Sequence, residues 1–252
     1  MNVETLVLSA ATAVSAGLIG CFAVMRRMTL AADALSHVAL PGIGIALALH
    51  IHPLLGATAA LFFGALLVWA LEDRGRIATE TLVGVVFSAA LAIGAMITSG
   101  HDLVEALFGD PGALGWPEVV FGLAATAGVV SFVVRYKDSL VVALVSPDIA
   151  RTVGIDVRRL NLLYLQMFAL TVALGLRYLG VLLMGSLIII PAATAKLLSK
   201  DLTGMLSIAV ITAVAVTVFG SLLAVEMQRQ TGPVIVTLAA FVFFCAVLAR
   251  NR

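Results

Sequence analysis

The chain has 252 residues, 62% hydrophobic and only 12% charged, with a mean hydropathy of +1.15. Soluble globular domains do not carry that balance, and the composition specifies an integral membrane protein. A formal net charge of +1 gives no basic surface for a nucleic-acid partner, and the two cysteines, Cys21 and Cys245, lie inside apolar runs where they form neither a disulfide framework nor a zinc knuckle.

Apolar runs near the ~20 residues that cross a bilayer core lie at 6–25, 28–49, 53–71, 80–99, 117–134, 161–176, 179–197, 205–224 and 233–249. The first run has no basic residues before it, so it reads as a true span and not as a cleaved signal peptide. Few polar residues separate the two runs around Arg177, which leaves eight spans as the alternative to nine. The expected fold is all-α: a polytopic helical membrane protein of eight or nine transmembrane helices, with residues 1–252 forming a single membrane domain. No solenoid repeat or low-complexity tract divides it.

Basic residues orient the spans. With Arg26 and Arg27 in the cytoplasm, Arg74, Arg76, Arg135, Lys137, Arg151, Arg158, Arg159, Lys196, Lys200, Arg250 and Arg252 fall there too, leaving Arg177 and Arg229 outside. The N-terminus then faces outward and the C-terminus inward. The outer side collects Asp102, Glu105, Asp110, Glu118 and Glu226 with His50, His52 and His101. That face either attracts cations or simply lacks the basic residues kept inside. The outer loop at 100–116 reads as a short helix followed by turns.

Within the second run, Asp33 and His37 stand four residues apart, so a helix stacks both on one face. A carboxylate beside an imidazole is half of a divalent-metal site, and ionisable groups inside a span mark a partner, a cavity or a substrate path. The alternative is an Asp33–His37 hydrogen bond in a packed interior. Pro41 removes the hydrogen bond to the carbonyl of His37 and predicts a bend there, with Gly42 and Gly44 following, so Pro41 and Gly42 are candidates for a hinge or path-lining role. The spacings Ser9, Ala13, Gly17 and Gly42, Ala46 predict close helix packing.

Residues 146–156 predict a short cytoplasmic helix: Ser146 is an N-cap, Pro147 fits the first helical position, Asp148 complements the dipole and Gly154 closes the end. Ile149 and Val153, one turn apart and flanked by Arg151, Arg158 and Arg159, fit either a groove on another protein or an anionic lipid surface. Gly180, Gly185 and Pro191 interrupt the seventh run, which is then either a movable, pore-lining helix or a kinked packing helix. Phosphate loops, HExxH and GxSxG are all missing, so the chain itself is expected to hydrolyse no ATP and perform no covalent chemistry.

The segments MRRMTLAADALSHVALPGIGIA, TETLVGVVFSAALAIG, DLVEALFGD, SPDIARTVGIDVRRL and GVLLMGSLIIIPAATAKLL resemble, in order and from about residue 17 onward, the membrane permeases of zinc, manganese and iron ABC importers, the ABC-3 family. The resemblance implies a type II importer permease in the cell (inner) membrane. It implies a homodimer held by two cytoplasmic ATPase subunits and fed by an extracytoplasmic metal-binding protein. Asp33 and His37 would then serve metal passage, and the segment with Pro147, Ile149, Arg151, Val153 and Gly154 would contact the ATPase. No permanently bound cofactor is implied; the metal is substrate. Zinc is expected ahead of manganese and ferrous iron, from the outer histidines. A self-sufficient proton-coupled carrier, with Asp33 and His37 relaying protons, is the competing class.

Overall fold

The computed structural model describes residues 3–75, 78–97 and 116–250. Among the described residues every regular element is helical: α1 (Val3–Met25), α2 (Thr29–His37), α3 (Ala39–Ala48), α4 (Pro53–Gly75), α5 (Thr79–Ile97), α6 (Trp116–Val145), α7 (Pro147–Thr152), α8 (Val157–Leu198), α9 (Leu202–Glu226) and α10 (Thr231–Arg250). All nine expected runs fall in these helices. Among the described residues seven helices are long and apolar enough to cross a membrane, while the second run is divided between α2 and α3 and the seventh is the part of α8 at and beyond Gly180. Except for Trp116, the outer loop expected at 100–116, with His101, Asp102, Glu105 and Asp110, lies outside the described residues, as do Arg76 and Arg252.

α1 and α8 form the centre. α8 packs against α1, α2, α4, α6, α7, α9 and α10, while α3 packs on α4 and α5. The small residues of α1 let backbones meet: a Cβ on Gly20 would strike the carbonyl of Ile188, and one on Gly17 would lie 3.0 Å from the carbonyl of Ala209. Tyr164 of α8 is fully buried among these helices, and its hydroxyl donates to the carbonyl of Ile19 at 3.3 Å, which satisfies its one polar group.

Two breaks shape the membrane helices. The second run divides at Val38, whose N–H bonds the carbonyl of Leu35 in a tightened last turn of α2. Pro41 then sits in the first turn of α3, where helical N–H groups have no partner to lose. α8 breaks at Gly180 (φ 76°, ψ 162°), a conformation that residues with a Cβ avoid. The bend is sharp. Gly175 and Met184 would stand about 13 Å apart along a straight helix, yet a Cβ on Gly175 would collide with the Met184 side chain. Pro191, by contrast, lies inside continuing helix. α6 runs on through Arg135 and Lys137 to Val145, well past the span expected at 117–134, and its 30 residues reach about 45 Å.

α3 and α4 cross at glycines. A Cβ on Gly42 would overlap the carbonyl of Gly56 and lie 2.6 Å from the Ala60 methyl, and a Cβ on Gly56 would meet Gly42 and Ala46 in the same way. Gly56→Val should therefore force α3 off α4, destabilising the purified protein by about 1–3 kcal/mol in thermal unfolding. Gly128→Ala, where a Cβ meets nothing within 4 Å, should be neutral or stabilising by up to about 1 kcal/mol. An unchanged midpoint for Gly56→Val would show that the crossing is loose.

Candidate functional site

Asp33 lies in the middle of α2 and His37 at its last residue. The hydroxyl of Ser36 donates to the carbonyl of Asp33 at 2.6 Å, fixing the turn between them. His37 is half-buried, its ring 5.7 Å from that of Phe87 on α5 and tilted by 56°. Asp33 is exposed at the surface of the chain and lies on Gly185 of α8. A Cβ on Gly185 would overlap the Asp33 carboxylate and come within 3.0 Å of its Cα. The pair therefore sits where α2, α5 and the second half of α8 meet, on a helix that ends directly after it.

Among the described residues, no hydrogen bond or ion pair joins Asp33 to His37 or ties either side chain elsewhere. The pair offers one carboxylate and one imidazole, and among the described residues no third His, Cys, Asp or Glu joins them in a group able to hold a metal. Zinc takes four ligands and manganese six.

The other residues singled out by the sequence fall at helix contacts. Pro41 is buried against α5, where a Cβ on Gly94 would lie 3.2 Å from its nitrogen and 3.4 Å from its Cδ. Gly42 abuts Gly56, and Pro191 is buried one turn beyond Leu187, whose carbonyl loses its helical partner. Of the outer histidines, His50 is exposed at φ 56°, and His52 accepts from the N–H of Leu54 through Nδ1 at 3.3 Å, so its imidazole caps the start of α4.

The short helix expected at 146–156 forms as its local signals require. Ser146 is extended and accepts from the N–H of Ile149 at 3.3 Å, Pro147 opens α7, Arg151 pairs with Asp148 at 3.0 Å, and Gly154 turns away at φ 81°. Val153 caps the helix. Ala150 is fully buried against the bundle, while Ile149 and Val153 are 57% and 64% exposed, so two apolar side chains are left uncovered by the described residues.

Sequence reasoning did not pair Asp33 with Gly185 or His37 with Phe87. The glycine stood out as a helix interruption, but nothing local tells a glycine that bends a helix from one that leaves room for a carboxylate.

The model of the ABC 3 transport family matches residues 1–250. The chain is 30% identical to the high-affinity zinc uptake system membrane protein ZnuB of Haemophilus influenzae, over 93% of this chain and 92% of that protein. It is 28% identical to the manganese transport system membrane protein MntC of Listeria innocua, over 97% and 89%. Its fold is that of PsaBC from Streptococcus pneumoniae, solved in complex with Fab, with a TM-score of 0.82, 24% identity and coverage of 96% of this chain and 89% of that one. A match over nearly the whole length, joined to membrane-length helices throughout, makes this a multi-pass membrane protein of the ABC 3 transport family.

Proposed function

We propose that the protein is the membrane permease of an ATP-driven importer for a divalent transition metal, with Asp33 and His37 as ligands on the path. The carrying observation is the unpartnered Asp33–His37 pair at the end of α2, with Asp33 exposed on Gly185. A carboxylate left open in a membrane segment is costly unless a cavity, a partner or a cation meets it. A relative named for zinc uptake and another named for manganese transport support the substrate class. Oxygen and imidazole ligands suit zinc, manganese and ferrous iron alike. With His52 engaged in capping α4, the outer histidines give zinc less advantage than their number implied.

A second copy completes the site. Around a two-fold axis, two Asp33–His37 pairs would supply four ligands and cover both carboxylates. α5, beside the pair, offers a surface suited to this contact: Gly84, where a Cβ meets nothing within 4 Å, and exposed Ser88 and Ala92. ATP hydrolysis belongs to a separate cytoplasmic subunit that receives Ile149 and Val153, and an extracytoplasmic metal-binding protein delivers the substrate. Pro41, Gly42 and Pro191 hold the helices that frame the pair, close to the interruption at Val38 and the kink at Gly180, and keep the hinge or path-lining role expected of them.

Uptake of zinc and of manganese, measured in vesicles holding the permease with its ATPase, tests the reading. Asp33→Ala and His37→Ala should each lower uptake by at least about tenfold without loss of assembly, and Gly185→Ala should do the same by displacing Asp33. Wild-type uptake by either alanine variant leaves the pair a structural role only. Native mass spectrometry of the purified permease should give a dimer, and Gly84→Trp should split it; a monomeric wild type sinks the shared site. Replacing Ile149 and Val153 together by Asp should abolish recruitment of the ATPase, since a desolvated contact tolerates charge poorly. Accumulation that continues without ATP in that double variant would favour the proton-coupled carrier.

A further inference from the structure

The inner ends of four helices are tied by one chain of polar side chains. Arg26, just past α1, lies over the ring of Tyr164 at 4.3 Å and donates through Nη1 to Oδ1 of Asn161. Asn161 donates through Nδ2 to Oε2 of Glu72 on α4, and the hydroxyl of Thr79 at the start of α5 donates to the other carboxylate oxygen. One turn nearer the start of α8, Arg158 lies over the Trp69 ring at 4.7 Å, and its carbonyl accepts from Trp69 Nε1 at 3.0 Å. α4 and α8 are thus joined by two contacts, Arg158 with Trp69 and Asn161 with Glu72, and the second also holds α1 and α5.

Asn161 is the only member that touches both charges. Arginine can only donate and an ionised carboxylate can only accept, so a residue bridging them must present an acceptor at one end and a donor at the other; a side-chain amide does this. The position matters as much as the chemistry. Arg26, Glu72 and Asn161 line a cavity of about 530 Å³ together with Pro147 and Arg151 of α7. α7 connects to α8 through Gly154 and the capping residue Asp156, so a displacement of α7 arrives first at the opening turns of α8, where Asn161 sits. On the other side, only Arg27, at φ 60°, and Met28 separate Arg26 from α2, which bears Asp33 and His37.

We propose that Asn161 is a positioning residue for transport: it links movement of α7 and the start of α8, through Arg26, to the helix that carries the Asp33–His37 pair. This rests on the ATP-driven reading above. A merely structural tie would be felt in assembly and stability, whereas a linking role is felt in how much metal moves for each ATP spent.

The experiment uses the permease reconstituted with its ATPase and its metal-binding protein, with zinc and manganese as probes, and measures ATP hydrolysis and uptake together. Asn161→Leu, of similar size but without polar atoms, should retain assembly and hydrolysis while metal moved per ATP falls about tenfold. Asn161→Gln, which restores both hydrogen-bonding ends, should recover much of the ratio. Asn161→Asp, which keeps the acceptor for Arg26 but faces Glu72 with a second negative charge, should behave as the Leu variant does. An unchanged ratio in the Leu and Asp variants overturns the inference, and so does failure of both to assemble, since Asn161 is then a packing residue. ATP-independent uptake by the wild type overturns the importer reading and this inference with it.

Discussion

The arrangement of the membrane helices turns on a carboxylate lying against a backbone that has no side chain. Asp33 rests on Gly185, and any Cβ there would occupy its place. Because the contact is so close, α2 and the second half of α8 have little freedom to shift past one another. The break at Gly180 brings that half of α8 into position, and the break at Val38 ends α2 as soon as it has delivered His37 to Phe87. The packing contact and the ionisable pair share the same atoms here, so a change that relaxes the packing also moves the pair.

The paired breaks also divide labour along the chain. α1, α6, α9 and α10 are unbroken and give the bundle its frame, while the interrupted runs carry the charged pair and its support. Irregular backbone in a membrane protein persists where neighbouring helices bury it or where it lines a polar space. Gly42 on Gly56 and Pro41 on Gly94 supply that cover for the start of α3.

Much of this was legible in local sequence. Apolar runs located the membrane-length helices among the described residues, and Arg26 and Arg158, assigned to one side by charge, do lie at one end of the bundle, joined through Asn161, Glu72 and Trp69. Ser146, Pro147 and Gly154 gave α7 nearly to the residue, because capping and left-handed turns depend on atoms a few bonds apart. What stayed hidden depends on residues far apart in the chain. Gly56 facing Gly42, Gly185 beneath Asp33 and Glu72 beneath Asn161 each require knowing which helices are neighbours. The seventh run shows the limit well: both Gly180 and Pro191 can interrupt a helix, and only the surrounding packing made the glycine bend and let the proline be absorbed.

The divided second run has a further consequence, for how the protein enters the membrane. From Thr29 to Ala48 the run is divided at Val38 into α2 and α3, of nine and ten residues, and each alone falls well short of the ~20 residues that cross a bilayer core. It also carries in α2 an ionisable pair that lipid disfavours. Such a segment is a poor candidate for independent insertion during synthesis. α4 follows within a few residues and offers Gly56 to Gly42, so the two are suited to enter together as a hairpin whose glycine crossing forms as it inserts. Gly185 is made far later in the chain, so α2 waits until most of the protein has been synthesised before Asp33 finds its seat.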